Sequence, residues 1–287
     1  MKPFEFTYQT YDSISPVDMK TNILFNKNYK ETGEPPIDKF HKKAVELNKL
    51  INDYIAGNKP VPDQLANLIL LGYVSAVESY LREIISKLIF FDEASKIACE
   101  GQSITYGAAI TLMKPEEPPE ALLENFSFAN EKNIKDSLTK CLGIKGNLPN
   151  EVQEVLKSFS KVCQLRHCIV HRFGKLGSNN AIKLGLKEHK ECLAKPLNLN
   201  NSALQDIFQV CSNTVKIINN FLFQQTLSRS AREDPNYWSW DLRKDKIKFK
   251  NYYNAFFSTI HPPETDGTLK DVYNEFRKAY QDAFGRG

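Results

Sequence analysis

The spacing of apolar residues along the chain changes at Asp38. Upstream, over residues 1–37, aromatic residues alternate with polar ones and proline recurs, which is typical of short strands or an extended arm. The alternating aromatic residues are Phe4, Phe6, Tyr8 and Tyr11. Downstream, apolar residues recur at steps of four and three from Phe40 to Tyr54, which predicts a helix that ends near Gly57.

Three longer helices are predicted farther along the chain. They span about 63–91, 149–174 and 202–228. The first is apolar on nearly all sides in its first half, which is typical of the central helix of a bundle, and Asp63 is placed to cap it. The last carries the capping-box arrangement Ser202-x-x-Gln205 at its start.

The segments between and after these helices are less regular. Residues 102–148 read as a long connection with one helix around 130–142, and residues 175–202 read as a long loop. Residues 229–287 are richer in aromatic residues and end in a predicted helix at 269–284. We therefore expect a small subdomain appended to the C-terminal end of a helical core.

Composition indicates a folded protein and narrows the function classes. Of the 287 residues, 41% are hydrophobic and 25% are charged, as in ordinary globular chains. The net charge of +4 is too small for a protein that coats nucleic acid by bulk charge, so any nucleic-acid contact must be local. The longest apolar stretch, Leu65 to Val77, is shorter than the roughly 20 residues that span a bilayer. Because no secretion signal is visible and the six cysteines show no C-x-x-C spacing, we expect a cytoplasmic protein without a membrane partner.

The helix predicted from Pro149 carries a basic residue within its apolar face. The apolar members of that face are Val155, Phe159, Val162, Ile169 and Phe173. Arg166 occupies the position between them, where a guanidinium is costly unless it is paired. It therefore either meets a buried carboxylate or faces a cleft, formed by assembly, that an anion can enter. His171 lies in the last turn before Gly174, where unpaired carbonyl groups favour a cation.

The segment Leu165-Arg166-His167-Cys168-Ile169-Val170-His171-Arg172 has the form Arg, polar residue, three others, His. It resembles the R-x4–6-H motif of the HEPN superfamily, which lies near the end of the third core helix of a four-helix protein. Arg166, His167 and His171 match that motif position by position. The order of helices over residues 63–228 is also similar, so we expect a mostly α fold with a HEPN-like helical bundle over residues 38–228.

The resemblance implies an endoribonuclease that needs no metal or other cofactor. Its two catalytic residues would be Arg166, which stabilises charge on the phosphoryl oxygens, and His171, which moves a proton. Attack of the RNA 2′-hydroxyl on the adjacent phosphate would give a 2′,3′-cyclic phosphate. The resemblance further implies a homodimer through the motif helices, and a role as a toxin or anti-phage effector with an antitoxin or regulatory partner.

Three neighbouring residues are candidates for supporting roles. His167 lies one turn before His171 and either orients it, holds the phosphate, or is purely structural. Glu78, on the long apolar helix, either pairs with Arg166 across the bundle or forms a surface pair with Arg82 at i+4. Arg172 either contacts the RNA backbone or complements the helix end.

Two other kinds of chemistry are open at this stage. Cys163, His167 and His171 share one helical face and could supply zinc ligands, although no H-E-x-x-H pattern accompanies them and a cysteine there is commonly core packing. A separate basic run, followed by the aromatic residues Tyr252, Tyr253, Phe256 and Phe257, reads as a strand that grips RNA phosphates and stacks bases, or as an edge strand protected by lysines. Its basic residues are Arg243, Lys244, Lys246, Lys248 and Lys250. The alternative function is a HEPN-like module that binds RNA or a protein without cutting.

Overall fold

A computed structural model of the chain describes residues 4, 6–8, 10–11, 15–111, 117–262 and 267–285. The chain divides into two compact units, residues 1–33 and 34–287. In the first unit the described residues are extended or in turns, apart from one 3₁₀ turn at Thr21–Ile23, and their side chains are exposed. This unit forms no strand over its described residues, so the aromatic alternation produces an extended arm there.

The second unit is helical, and its described residues form no β-strand. Its helices are α1 (Pro36–Ala56), α2 (Asp63–Phe91), α3 (Glu93–Cys99), α4 (Tyr106–Thr111), α5 (Glu117–Leu123), α6 (Glu131–Leu142), α7 (Asn150–Arg172), α8 (Ser178–His189), α9 (Asn201–Glu233), α10 (Leu242–Phe256) and α11 (Leu269–Phe284). The mostly α class predicted from the sequence is confirmed.

Helix α2 is the centre of this unit. It contacts α1, α7 and α9 along its length, and its apolar side chains Leu70, Val77 and Leu81 are completely buried. Its predicted limits are confirmed, but Asp63 is the first helical residue and Pro62 precedes it as the cap. The main apolar core therefore surrounds α2.

Several segments differ from their predicted structure. The connection predicted at 102–148 contains α4 and α5 besides the expected helix α6. The long loop predicted at 175–202 contains α8 and a 3₁₀ turn at Lys190–Cys192. The start of α9 is capped by Asn200, whose side chain accepts a hydrogen bond from the backbone N–H of Ala203 at 2.8 Å, and not by Ser202.

The basic run predicted as a strand is part of helix α10. One face of this helix buries Phe249 and Tyr252 against Trp238 and against Tyr273 of α11, forming a second apolar cluster. The strand prediction is therefore wrong, because the chain here presents its apolar residues with helical spacing.

A buried polar network joins α9 and α10 to the end of α2. Arg229 and Asp92, 4% and 1% exposed, form an ion pair of 2.5 Å between Nη2 and Oδ2. The hydroxyl of Tyr252 donates a hydrogen bond of 2.9 Å to the other carboxylate oxygen. Arg229 also donates to the carbonyl of Leu142 and to Ser95 Oγ.

Over the residues that the structure covers, none of the helices combines the length and apolar character needed to cross a membrane. This includes α2, the most apolar of the long helices.

Candidate active site

The predicted motif lies at the C-terminal end of α7. The helix ends at Arg172, and Phe173 follows in the left-handed region with φ of 53°. The backbone N–H groups of Phe173 and Gly174 donate to the carbonyls of Ile169 and Cys168, so the last turn is closed by a positive-φ cap. The stop predicted at Gly174 is confirmed, and the cap turns the chain sharply toward α8.

Arg166 is partly buried where α7 packs on α2. Burial raises the pKa of the neighbouring Cys163 thiol to about 12, with the Glu78 carboxylate raising it further and the Arg166 guanidinium lowering it. Both charges therefore act on the same thiol. No ion pair within 4 Å joins Arg166 to Glu78, and no described residue offers Arg166 a hydrogen-bond partner.

Neither of the pairings considered for Glu78 is formed. Arg82, its neighbour at i+4, turns away and donates to the carbonyls of Leu123 at 2.5 Å and Phe126 at 2.8 Å. The Arg82 guanidinium also lies 5.2 Å from the ring centre of Phe128. Glu78 influences the site only through its charge at longer range, while Arg166 keeps its donors free of described protein acceptors.

The two histidines of the motif lie side by side. The rings of His167 and His171 are nearly parallel, at 15°, with centroids 5.6 Å apart. His171 is exposed, whereas His167 is partly buried. Burial lowers the pKa of His167 below 6.5, and the positive charges of Arg166, His171 and Lys183 lower it further. His167 is therefore mainly uncharged at neutral pH.

Lys183 is a member of the site that the sequence did not reveal. It lies on α8, inside the segment predicted as a loop, and α8 packs on α7. Its charge acts on His167, so this end of α7 collects cations from two helices. The only available signal was the spacing of Ala181, Leu184 and other apolar residues in a short and mainly polar stretch.

Arg172 has a structural position. Its Nη1 donates to the carbonyl of Leu176 at 3.4 Å, and the same atom lies 3.1 Å from where a Cβ on Gly177 would be. Its guanidinium thus lies across the turn between α7 and α8. Of the two roles considered for Arg172, this geometry favours completing the helix end.

Cys163 does not share a site with the two histidines. Its side chain is completely buried in the main core, and burial raises the pKa of its neighbour Cys211 as well. Within the described part of the chain, no three residues among His, Cys, Asp and Glu are grouped so as to hold a metal ion. The arrangement at the end of α7 thus consists of imidazoles and cations.

The predicted RNA-binding residues of α10 separate into two groups. Lys248 donates to the carbonyl of Tyr237 and lies 4.4 Å from the centre of that ring, while Arg243 pairs with Asp241 at 2.9 Å. These two cations have protein partners. The side chains of Lys244, Lys246 and Lys250 are exposed and project into solvent.

Two aromatic residues of α10 cannot belong to the predicted base-stacking surface. Tyr252 and Phe256 are 1% and 2% exposed, so their faces contact other side chains of the core. RNA bases therefore cannot stack on these two rings, and the prediction that they do is wrong.

Comparison with known proteins gives no match, whether with protein-family models, with curated proteins or with solved structures. The HEPN resemblance and the activity that it implies stay predictions.

Proposed function

We propose that this chain is an endoribonuclease of the HEPN kind, in which Arg166 and His171 from two copies act on one phosphodiester. One observation carries the proposal: the partly buried guanidinium of Arg166 has no described protein acceptor, five residues from an exposed imidazole. A guanidinium without protein acceptors keeps its N–H donors available. Their planar, parallel arrangement fits two oxygens of one phosphoryl group.

The reaction is internal transfer of the phosphoryl group. One imidazole accepts the proton of the RNA 2′-hydroxyl as the 2′-oxygen forms a bond to phosphorus. The bond from phosphorus to the 5′-oxygen breaks, and a second, protonated imidazole donates a proton to the leaving oxygen. The products are a 2′,3′-cyclic phosphate and a 5′-hydroxyl, and DNA is not a substrate because it lacks the attacking group. The scheme uses no metal or other cofactor.

A dimer is part of the proposal because of the spacing of the two residues. On a single helix, residues five apart differ by about 140° in direction and about 7.5 Å in rise, so Arg166 and His171 of one copy diverge. Two α7 helices related by a two-fold axis would present two of each around one phosphate. His167, uncharged and parallel to His171, would limit the rotation of the catalytic ring by packing on it.

The three exposed lysines of α10 are proposed as phosphate contacts. Each contact with a single strand releases counterions and contributes about 0.7 to the slope of log affinity against log salt. Replacing Lys246 by Gln should therefore reduce that slope by about this amount. The Arg243→Gln variant is the control because its guanidinium is already paired with Asp241.

The same proposal includes a cellular role as a toxin or anti-phage effector held in check by an antitoxin. It rests on the motif resemblance. Expression of the wild-type chain in bacteria should arrest growth, and expression of the Arg166→Ala variant should not.

The decisive test is cleavage of single-stranded RNA by the purified full chain in EDTA. His171→Ala should lower the rate by about 10²- to 10⁴-fold and Arg166→Ala by about 10²- to 10³-fold. Arg166→Lys should recover little, because an ammonium cannot reproduce the two-pronged contact. His189→Ala is the matched control, since His189 is partly exposed at the end of α8 and its one described hydrogen bond is to the Gly185 carbonyl.

Cleavage that survives both alanine substitutions would eliminate the site, and a sedimenting monomer that still cuts RNA would eliminate the shared cleft. RNA binding without any cleavage would replace the enzyme by a non-catalytic RNA-binding module.

A further inference from the structure

A cleft with both polar and aromatic lining lies on another part of the helical unit, between α1, α9 and the chain that follows α10. It encloses about 340 Å³. Its polar lining includes His41 from α1, Lys216 and Asn220 from α9, and His261 from the segment after α10. These residues come from three distant parts of the sequence, and the sequence analysis identified none of them.

A buried carboxylate holds two sides of the cleft together. Asp38, 1% exposed in the first turn of α1, accepts hydrogen bonds from Ser258 Oγ at 2.5 Å, from Thr259 Oγ1 at 2.7 Å and from the Thr259 backbone N–H at 2.8 Å. Ser258 Oγ in turn accepts from the backbone N–H of His261 at 2.8 Å. The segment after α10 is therefore held against α1. As a result, the imidazoles of His41 and His261 meet edge to face with ring centroids 4.8 Å apart.

The cationic groups of the cleft lack a free carboxylate. Burial alone would raise the pKa of Asp38, but the hydrogen bonds from Ser258 and Thr259 outweigh it and the pKa lies below its usual value. Those hydrogen bonds occupy its two oxygens. Lys216 is exposed, and no carboxylate of a described residue lies within 4 Å of it.

The pKa of His41 reflects the positive charge of its neighbours. Burial lowers its pKa below 6.5, the charges of His261 and Lys216 lower it further, and only Asp38 acts in the opposite direction. An anion between these groups would remove the repulsion and favour the protonated imidazole. The group formed by His41, His261 and Lys216 is therefore suited to a phosphate.

Part of the cleft wall is aromatic. Phe223 and Phe257 form part of its wall, with ring centroids 5.3 Å apart. Asn219 is already committed, because it accepts from Tyr80 at 3.1 Å and donates to the Phe256 carbonyl at 3.0 Å, whereas the exposed Asn220 has no described partner. A volume of 340 Å³ lies at the small end of ligand pockets, which suits one nucleotide and not a polymer.

We propose that this cleft binds a mononucleotide, with its phosphate among His41, His261 and Lys216 and its base against the wall formed by Phe223 and Phe257. Asn220 is placed to hydrogen-bond a polar edge of the ligand. This proposal does not rest on the ribonuclease activity, because it shares no residue with the end of α7.

Isothermal titration calorimetry of the full chain at pH 6 tests the proposal. The nucleotide probes are AMP and UMP. Adenosine and uridine, which lack the phosphate, and inorganic phosphate, which lacks the nucleoside, are the comparison ligands. At least one nucleotide should bind tenfold or more tightly than its nucleoside and than inorganic phosphate. Lys216→Gln and His261→Gln, both at exposed positions, should each weaken binding tenfold or more. Lys132→Gln, an exposed lysine on α6, should leave it unchanged.

The motif at the end of α7 could also take up a nucleotide, so the titration is repeated in the Arg166→Ala, His171→Ala double variant. Binding that persists there supports the cleft, and binding that disappears there overturns it. Equal affinity for inorganic phosphate, or no binding by any nucleotide, also overturns it. In NMR titrations, bound nucleotide should raise the protonation midpoint of His41, because a phosphate favours the charged imidazole beside Lys216 and His261. An unchanged midpoint contradicts the role of the imidazoles.

Discussion

Removing the guanidinium of Arg229 should be among the most damaging single substitutions in this fold. In Arg229→Met the Asp92 carboxylate stays buried and loses its ion-pair partner at 2.5 Å. The hydroxyls of Tyr252 and Ser95 still donate to it, at 2.9 and 2.5 Å. Burial raises the pKa of Tyr252, and the Asp92 charge raises it further, so the hydroxyl of Tyr252 remains a donor and cannot replace the lost charge.

The expected cost is about 3–5 kcal/mol, the usual penalty for leaving one member of a buried ion pair alone. The carbonyl of Leu142 also loses its donor, but the two effects belong to one network and do not add in full. A loss of this size is about a fifth or more of the stability of an ordinary protein. At about 2 °C per kcal/mol for a chain of this size, the Tm should fall by roughly 6–10 °C.

Urea unfolding measured by circular dichroism provides the assay, with Asp92→Asn and the double variant completing a cycle. Each single substitution leaves the other partner buried without its ion pair. The loss of unfolding free energy in the double variant should therefore be at least about 1 kcal/mol smaller than the sum of the two single losses. A coupling energy of about this size is usual for residues in contact. Arg232→Met, at an exposed arginine on the same helix, should cost less than about 0.5 kcal/mol. Equal losses in Arg229→Met and Arg232→Met, or strict additivity in the cycle, would refute the reasoning.

Two other outcomes depend on local geometry. Gly143 caps α6 with φ of 66°, and a Cβ there would lie 3.3 Å from the Cβ of Ala98, so Gly143→Ala should cost about 1–2 kcal/mol in urea unfolding. In NMR titrations the imidazole of His167 should protonate below pH 6.5, and Lys183→Met should raise that midpoint because one of the repelling charges is removed, whereas Lys187→Met should not. Because the folded pKa of His167 lies below the unfolded value, its contribution to stability is complete above about pH 6.5 and is lost as the pH falls.

Controls for these two outcomes come from the same chain. Gly101 has no positive φ and open space around its Cβ position, so Gly101→Ala should change stability by less than about 0.5 kcal/mol. A similar loss in both glycine variants would show that φ at Gly143 is not the cause. An unchanged His167 midpoint in Lys183→Met would contradict the placement of α8 against the motif.

The long helices could be predicted because their signals are redundant. Helix α2 combines a long apolar run with a proline before it, and α7 lies between Pro149 and a positive-φ glycine, Gly174. Helix α8 gave a weak signal because it is short and mainly polar, and Gly185 interrupts it with φ of 108°. Its burial of Ala181 against α7 is a tertiary effect that the local pattern does not contain.

The error at α10 has a specific physical cause. Lysines at alternate positions from Lys244 suggested a two-residue period. The face that the helix buries is Asp245, Phe249, Tyr252 and Phe256, with spacings of four, three and four. A charged residue such as Asp245 is ordinarily solvent-facing, but here it is 1% exposed because it accepts hydrogen bonds from two backbone N–H groups and from Tyr273.

The positions of the candidate sites were predictable to different degrees. The place of Arg166 in an apolar face followed from helical spacing alone, but whether a carboxylate would meet it depended on how α2 and α7 rotate against each other. The approach of His41 to His261 depends on Asp38 holding a segment about 220 residues away in the sequence. No local pattern encodes such a contact.

The inner arginines of this fold differ in whether the protein supplies acceptors for their guanidinium groups. Through its two terminal nitrogens Arg229 donates to a carboxylate, a hydroxyl and a carbonyl, although its buried Nε has no described acceptor. Arg82 likewise donates through both terminal nitrogens to two carbonyls. Arg166 is also partly withdrawn from water, and yet none of the described residues accepts from it. Partial burial without acceptors costs free energy, and a fold that supplies acceptors to its other inner arginines could have supplied them here. The donors of Arg166 are best explained as reserved for an anion that the chain itself does not contain, which is why the phosphodiester proposal begins from this residue and not from the histidines.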